Sequence, residues 1–221
     1  MSGTLSERRL LHVHEGLFKR NDVQAARNRE KFRERGIRAV NLLSAPGAGK
    51  TAVLERTIRE LAPLRAGVIV GDLATDNDAR RIRATGAPAE QITTGTICHL
   101  DAAMVASAIA RLGIDGLDIL FLENVGNLVC PASYDLGENL RVVVLSVTEG
   151  EDKPLKYPVV YRNAGVALIN KMDLADAVGF DREAAHANIL RVAPEARILE
   201  ISAKTGEGFR PWLDCLASLT K

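Results

Sequence analysis

The sequence predicts an α/β fold with a mostly parallel central sheet and helices on both faces. From residue 37 onward, near-continuous runs of Val, Ile and Leu alternate with amphipathic helical patterns. Such apolar runs are typical of parallel strands that are buried on both faces. In addition, the candidate ligand-binding motifs directly follow these runs, where the carboxyl ends of parallel strands bind ligands.

The predicted elements alternate regularly along the chain. The strands are expected at residues 37–43, 67–73, 91–94, 119–123, 141–147, 166–170 and 197–201, of which 91–94 is the weakest. Helical periodicity covers residues 52–61, 77–84, 100–112, 181–192 and 208–219. Residues 1–36 predict a helical extension, in which a charged helix over 22–35 ends at Gly36. Residues 37–221 then form the main domain.

Composition excludes several classes of protein. The chain has 221 residues and a formal net charge of +1, from 29 basic and 28 acidic side chains. This balance gives no electrostatic basis for binding nucleic acid or an anionic membrane. No apolar run is long enough to span a bilayer and no secretory leader is recognisable, so we expect a cytoplasmic protein. Three cysteines argue against a disulfide framework, and Cys215 fits the core of the last helix.

The segment SAPGAGKT, residues 44–51, has the form of a phosphate-binding P-loop between a predicted strand and a predicted helix. Backbone N–H groups of such a turn and the helix N-terminus point at the phosphates. The lysine would reach the β- and γ-phosphates, and the threonine hydroxyl would bind Mg²⁺. Ser44 replaces the first glycine of the motif. The predicted phosphate-binding residues are Gly47, Ala48, Gly49, Lys50, Thr51 and Ala52.

Two later motifs indicate that the base is guanine. In the segment NKMD, residues 170–173, Asp173 can accept hydrogen bonds from the N1–H and the amino group of guanine. Adenine has no such donor pair and would leave the carboxylate unpaired. Asn170 is expected to brace the loop and Lys171 to lie along the base. Backbone N–H groups of a third segment would meet the guanine O6, and this segment consists of Ser202, Ala203 and Lys204.

Acidic residues at strand ends are candidates for the reaction. Asp72 ends a predicted strand and is expected to bind Mg²⁺ together with the P-loop threonine. Glu123 opens an E-x-x-G segment whose Gly126 would sense the γ-phosphate. Asp76 and Asp78 fit helix capping and a role with Mg²⁺ or water equally well. The predicted catalytic residues are Lys50, Asp72, Asp76, Glu123 and Gly126; without a recognisable catalytic Gln or Arg, we expect slow hydrolysis.

Cys98, His99 and Cys130 form a candidate metal site. A cysteine at a helix N-terminus has a lowered pKa, and thiolate with imidazole suits Zn²⁺ or Ni²⁺. Two small buried thiols beside a packed histidine explain the same residues equally well. Three ligands leave a four-coordinate site incomplete, and two copies across a two-fold axis would complete it. His12 and His14 are weaker candidates.

The chain resembles the HypB family of GTPases, which help to insert nickel into [NiFe] hydrogenase. The similarity runs from about residue 21 to the C-terminus and is strongest over residues 41–51, 71–78, 81–88, 98–102, 123–131 and 146–158. The family shares Ser44. The resemblance implies a SIMIBI-class P-loop GTPase that dimerises with GTP and shares a regulatory Zn²⁺ or Ni²⁺ site at its interface through Cys98, His99 and Cys130.

The same resemblance implies the nickel-carrying protein HypA as a partner and, through it, the hydrogenase large subunit. It also suggests that Lys153 contacts the nucleotide of the other subunit. The Cys-rich and His-rich nickel sites of some relatives are absent from this sequence, so we do not expect nickel storage. One alternative, a urease-type nickel chaperone, carries Cys-Pro-His, which this sequence lacks. A non-hydrolysing nucleotide-binding scaffold with structural thiols is the other alternative.

Overall fold

The computed structural model describes the backbone of residues 5–220 and the side chains of residues 16–220. Seven parallel strands form one sheet in the order β3-β2-β4-β1-β5-β6-β7. The strands are β1 Arg38–Ser44, β2 Ala66–Asp72, β3 Ala89–Thr93, β4 Ile119–Glu123, β5 Leu140–Ser146, β6 Val166–Asn170 and β7 Arg197–Glu200. The helices are α1 Leu5–Glu34, α2 Lys50–Glu60, α3 Asn77–Arg83, α4 Ala102–Leu112, α5 Lys153–Lys156, α6 Pro158–Arg162, α7 Arg182–Val192 and α8 Phe209–Leu219.

The central strand β1 is buried on both faces. It pairs with β4 on one side and β5 on the other. Leu42 belongs to the apolar cluster that contains Trp212 of α8, whereas the neighbouring Leu43 belongs to the opposite cluster with Ile189 of α7. Alternate residues therefore support different helical layers, as expected of a parallel strand. The predicted parallel sheet with helices on both faces is confirmed.

The first helix is longer than predicted and packs against the sheet domain. It runs over Leu5–Glu34 as one helix, so it extends the charged helix predicted over 22–35 towards the N-terminus, within the helical extension predicted over residues 1–36. Asn28 Nδ2 donates to the carbonyl of Ala102 at 2.9 Å, and Arg29 binds the carboxylate of Asp135 at 2.8 Å. Gly137 has φ +91°, and a Cβ there would lie 2.7 Å from the carbonyl oxygen of Ala25. The division of the chain at residue 36 stays a prediction.

Other boundaries differ for local reasons. The helix α4 begins at Ala102 rather than at residue 100, because Asp101 caps it by accepting a hydrogen bond from Met104 N at 2.7 Å. The short helices α5 and α6 were not predicted. The side chains of His12 and His14 lie outside the described residues. Within residues 5–220, no helix combines the length and the apolar character needed to cross a membrane.

Candidate functional site

A cleft of about 450 Å³ opens at the carboxyl ends of β1, β2 and β4. The P-loop after β1 forms its floor, and residues of α3 and of the loop after β4 form its walls. The wall residues include Asp72 and Leu73 at the end of β2, Asp78 and Arg81 of α3, and Glu123, Val125 and Gly126 after β4. This is the sheet edge at which parallel α/β folds bind ligands.

The P-loop requires its glycines for two separate reasons. Gly47 has φ +75° and Gly49 has φ +98°, which favour glycine because it lacks a Cβ. A Cβ on Gly49 would also lie 2.6 Å from Asn170 Nδ2. The helix α2 begins immediately afterwards at Lys50. The turn therefore directs the positive end of α2 into the cleft, where it can stabilise an anion.

Lys50 is buried and held by the serine that departs from the P-loop pattern. Its Nζ donates to Ser44 Oγ at 2.8 Å, and Ser44 Oγ in turn donates to the carbonyl of Ala45 at 2.6 Å. Burial lowers the pKa of Lys50, and nearby carboxylates, led by Glu123, oppose this effect. Ser44 thus holds the ammonium group at the position from which it would reach phosphates.

Glu123 connects the end of β4 to the P-loop. Its Oε1 accepts a hydrogen bond from Thr51 Oγ1 at 2.7 Å, while its Oε2 is buried and has no hydrogen-bond partner among the described residues. Burial raises the pKa of Glu123 to about 7, although Lys50 acts in the opposite direction. A buried carboxylate oxygen without a partner, beside a threonine hydroxyl, fits a divalent cation that binds oxygen ligands such as Mg²⁺.

The structure separates the acidic residues that follow β2. Asp72 lines the cleft, and its Oδ1 accepts hydrogen bonds from Thr75 N at 2.7 Å and Ala74 N at 3.0 Å. Burial raises the pKa of Asp72, but these hydrogen bonds outweigh burial and leave the pKa below its usual value. Asp76 is not among the cleft residues; it stands at the N-cap of α3 without a capping hydrogen bond and pairs with Arg80 at 3.1 Å.

This geometry therefore gives no support to the predicted catalytic role of Asp76, and it brings Asp78 to the cleft instead. Gly126, by contrast, touches the P-loop. A Cβ added to it would lie 3.0 Å from the Cα of Pro46, so any other residue would press on the loop backbone. The loop after β4 is thus in position to respond to whatever the P-loop holds.

The predicted base-binding segment is joined directly to the P-loop. Asn170 is 1% exposed; its Nδ2 donates to the carbonyl of Ala48 at 2.9 Å and its Oδ1 accepts from Ala203 N at 3.1 Å. Lys171 has a left-handed φ of +65°, and its Nζ donates to the carbonyl of Gly47 at 2.8 Å. Asn170 therefore braces the loops, as predicted.

Asp173 lies exposed at the rim with part of its carboxylate available. Its Oδ1 accepts a hydrogen bond from Ser202 Oγ at 2.6 Å. The N–H of Ser202 donates to the carbonyl of Glu207 at 2.9 Å, and the N–H of Ala203 is used by Asn170. Of the three N–H groups predicted to meet guanine O6, only that of Lys204 has no acceptor within the described part of the chain.

The three predicted metal ligands come together on two loops. The ligand atoms of Cys98, His99 and Cys130 all lie within 4.8 Å of one another, and each residue is half-buried. The His99 ring stacks on Tyr134 with centroids 3.9 Å apart. Its Nδ1 is buried without a hydrogen-bond partner among the described residues, and burial lowers the pKa of His99. A neutral imidazole with two thiols is a donor set that fits Ni²⁺ or Zn²⁺.

The predicted lowering of the Cys98 pKa is wrong. A hydrogen bond with Cys130, followed by burial, raises it instead. The reason is that α4 begins at Ala102, so Cys98 precedes the helix by four residues and lies beyond the reach of its N-terminal N–H groups. A divalent cation between the sulfurs would act in the opposite direction and favour the thiolates.

Two asparagines after β4 hold the metal-ligand loops. Asn124 Oδ1 accepts hydrogen bonds from Leu100 N and Val125 N, each at 3.0 Å. Asn127 Nδ2 donates to the carbonyl of Cys98 at 3.3 Å, and its Oδ1 accepts from Val129 N at 2.9 Å. The sequence motifs did not predict a role for these asparagines. Their position on either side of Gly126 is the sequence feature that could have identified them.

Two further predicted residues lie apart from the cleft and the metal ligands. Lys153 is the first residue of α5, and its Nζ lies 5.5 Å from the centroid of the Tyr157 ring, so it does not line the cleft of its own chain. Cys215 is buried on α8, as predicted.

Comparisons with known proteins agree on one family. Residues 38–200 match the family described as CobW/HypB/UreG, nucleotide-binding domain. The chain is 52% identical over 212 residues to the hydrogenase maturation factor HypB of Azotobacter vinelandii, covering 95% of this chain and 69% of that protein.

Two solved structures have the same fold. HypB from Archaeoglobus fulgidus is 44% identical with a TM-score of 0.86, covering 92% of this chain and all of that one (100%). HypB from Helicobacter pylori in complex with nickel is 38% identical with a TM-score of 0.88, covering 91% of this chain and 95% of that one. The chain therefore belongs to the HypB family of hydrogenase maturation factors and is a P-loop GTPase.

Proposed function

We propose that this protein hydrolyses GTP to GDP and phosphate and acts as a GTP- and metal-dependent dimerisation switch in nickel delivery to [NiFe] hydrogenase. One observation carries the proposal. At the end of β4, Glu123 binds the P-loop through Thr51, while the adjacent Asn124 binds the backbone of Leu100 beside two metal ligands. A change at either site therefore reaches the other through consecutive residues of one loop.

The nucleotide side of the proposal assigns each cleft residue a role. Lys50 would exchange Ser44 for the β- and γ-phosphate oxygens, and the free carboxylate oxygen of Asp173 would join in reading guanine. Mg²⁺ would be held by Thr51 and Asp72, with Glu123 beside it, and would supply neutralisation of phosphate charge. Gly126 would sense the γ-phosphate through its N–H, and its contact with Pro46 supports this role.

The metal side of the proposal requires a second copy of the chain. Cys98, His99 and Cys130 provide three ligands, and a structural zinc site has four. Large apolar side chains flank these ligands at the surface, with Ile97 40% exposed and Val129 61% exposed. Exposed apolar residues beside an incomplete ligand set support an interface at which two copies share Ni²⁺ or Zn²⁺.

The family supports the biological setting. The relatives are named hydrogenase maturation factors, and the structure from Helicobacter pylori contains nickel. We infer that HypA supplies nickel to this protein and that the hydrogenase large subunit receives it. In the dimer, Lys153 of one subunit would contact the nucleotide bound to the other.

Light scattering combined with metal analysis tests the proposal. Metal-free protein is measured with GDP and with a non-hydrolysable GTP analogue, each with and without Ni²⁺ or Zn²⁺. We expect a monomer with GDP and a dimer with the analogue and metal, containing metal that depends on Cys98. An unchanged mass together with no metal uptake would contradict the switch. Retained nucleotide binding without GTP turnover would instead support a non-hydrolysing scaffold.

A further inference from the structure

Two cations of the described chain line the nucleotide cleft, and only one of them belongs to the P-loop. Lys50 is the first, and the second is Arg81 of α3. Three carboxylates, those of Asp72, Asp78 and Glu123, line the same cleft. A triphosphate adds further negative charge to this wall. Of these two cations, Arg81 is the one to which the proposed GTPase reaction assigns no role.

Arg81 is held at the cleft wall by contacts with two carboxylates, those of Glu55 and Asp78. Its Nη2 and Nε lie 2.6 and 3.3 Å from the two carboxylate oxygens of Glu55, and its Nη1 lies 3.4 Å from Asp78 Oδ1. The Arg81 side chain is 46% exposed. The Glu55 side chain is 17% exposed and its carboxylate is bound through two N–H groups, so a phosphate has to compete with this ion pair for the guanidinium. Glu55 lies one helical turn after Thr51, so the guanidinium is held next to the P-loop.

Arg81 also lies close enough to the reacting groups to interact with them electrostatically. The hydrogen bond with Glu55 is the main cause that raises the pKa of Arg81, and Glu123, which binds Thr51, adds a smaller contribution in the same direction. Burial raises the pKa of Glu123, and Arg81 slightly opposes that effect. A guanidinium that binds a carboxylate through two N–H groups can bind a phosphoryl group in the same way. The γ-phosphate would therefore compete with Glu55 for the same N–H groups of Arg81.

We propose that Arg81 is a catalytic residue of the GTPase reaction and contacts the γ-phosphate of the nucleotide bound to its own chain. This inference rests on the proposed GTPase function. In the reaction, a water oxygen bonds to the γ-phosphorus, the bond to the bridging oxygen breaks, and its electron pair remains on GDP. The water releases one proton. Negative charge grows on oxygens near Arg81, and an arginine supplied within the same chain stabilises such charge.

A pair of neighbouring arginines provides the test. Arg81→Gln is compared with Arg80→Gln, because Arg80 is the adjacent residue, is 64% exposed, pairs with Asp76 and Asn77, and does not line the cleft. Single-turnover GTP hydrolysis in Mg²⁺ and the dissociation constant of GDP are measured for both. We expect Arg81→Gln to lower the hydrolysis rate by about 100-fold with GDP affinity unchanged, and Arg80→Gln to leave both unchanged.

Glu55→Gln separates catalysis from a structural ion pair. If Arg81 only tethers α3 to α2, Glu55→Gln should reproduce the rate loss of Arg81→Gln. If Arg81 serves the γ-phosphate, Glu55→Gln frees the guanidinium, and the rate should equal or exceed that of the unchanged protein. Equal rate losses in Arg81→Gln and Glu55→Gln, or equal rates in Arg81→Gln and Arg80→Gln, would overturn the inference.

The unchanged protein and Lys50→Ala distinguish this inference from the function on which it rests. No turnover by the unchanged protein, or full turnover by Lys50→Ala, would overturn the GTPase mechanism and the role of Arg81 together. Turnover that depends on Lys50 but not on Arg81 would overturn the role of Arg81 alone.

Discussion

The nucleotide cleft and the metal cluster lie at the same edge of the sheet but are held in different ways. In the cleft, buried side chains bind one another directly, as in the 2.7 Å contact of Thr51 with Glu123 and the 2.8 Å contact of Lys50 with Ser44. In the metal cluster, the ligands are half-buried, and Asn124 and Asn127 hold the loops that carry them through backbone groups.

This difference shows that the residues of the cleft are joined to one another within one chain to a greater extent than the metal ligands are. The cleft has a P-loop, a base-binding segment and strand-end carboxylates joined by hydrogen bonds, so nucleotide binding should tolerate changes elsewhere. The cluster has three ligands on two loops, so metal affinity should depend on loop position and on a second copy. Substitutions at one site, combined with measurements of nucleotide or metal binding at the other, test this difference.

Removing the P-loop ammonium should give the largest effect. Lys50→Ala should reduce GTP hydrolysis by about 10³-fold, because the phosphates lose a buried cation that binds where charge develops. Phosphate release measures this loss. Metal binding by the isolated subunit should be retained, since Lys50 does not contact the cluster. Near-normal turnover would remove the P-loop from the mechanism.

The buried carboxylate of the cleft should make stability depend on pH in the metal- and nucleotide-free protein. Burial raises the pKa of Glu123 from 4.5 to about 7. Between these values the folded protein binds this proton more tightly than the unfolded chain. The free energy of unfolding should therefore fall by about 3 kcal/mol from this group as pH rises through the interval, and level off above it.

Glu123→Gln should remove that part of the pH dependence. Urea unfolding in EDTA, followed by the fluorescence of the single tryptophan Trp212, measures the free energy at each pH. The contribution of Glu123 is the difference in the free energy of unfolding between the unsubstituted protein and Glu123→Gln at each pH. Equal slopes would show that Glu123 keeps its ordinary pKa in the folded state.

Removing one metal ligand should separate the two sites. Cys98→Ala should lower the affinity for Ni²⁺ or Zn²⁺ by at least about 100-fold, because losing a residue that only supports a ligand already costs 10- to 100-fold. GTP binding measured without metal should not change. Cys215→Ala, which alters a buried thiol on α8, is the control. Equal metal stoichiometry in both variants would refute the ligand assignment.

Changing the base reader should affect the cleft alone. Asp173→Asn should weaken GTP binding by about 1–3 kcal/mol, because guanine donors lose their charged acceptor. Asp176→Asn, three residues further along the same loop, is the matched control. Titration with a fluorescent GTP analogue measures both. Unchanged guanine affinity in Asp173→Asn would show that another group reads the base.

The smallest effect should come from loosening the metal-ligand loops. Asn127→Ala removes the hydrogen bonds to Cys98 and Val129 and should lower metal affinity about 10-fold. GTP affinity of the metal-free protein should be unchanged, since Asn127 does not line the cleft. A loss of GTP affinity equal to the loss of metal affinity would contradict the separation of the two sites.

Much of the fold could be predicted, because parallel strands buried on both faces leave continuous apolar runs such as Val166–Asn170. The missed elements have local causes. The helices α5 and α6 are too short to show helical periodicity, and Pro154 and Pro158 each stand in the first turn of one of them, where the missing N–H costs nothing. The predicted charged helix over 22–35 is a part of α1 that packs against the domain, with Phe32 in the core and with Asn28 and Arg29 in hydrogen bonds.

The functional site also contains residues that sequence motifs predict and residues that they do not. Lys50, Asn170 and Asp173 stand in local motifs whose residue types indicate their chemistry. Arg81 lies in a segment that resembles the family but in no motif that assigns it a role, and Tyr134 belongs to no predicted motif. Arg81 meets Glu55 from 26 residues away, and Tyr134 stacks on His99. Such contacts depend on how helices pack, which residue spacing alone does not determine.

The docking of α1 has a consequence for synthesis on the ribosome. Asn21 Nδ2 donates to the carbonyl of Asp135, 114 residues later in the chain. At about 5–20 residues per second, roughly 6–23 s pass before the acceptor of Asn21 is translated. During that interval the helix must remain without its final neighbours. Its many charged side chains suit this period, because they keep the waiting segment in water rather than in contact with other nascent chains.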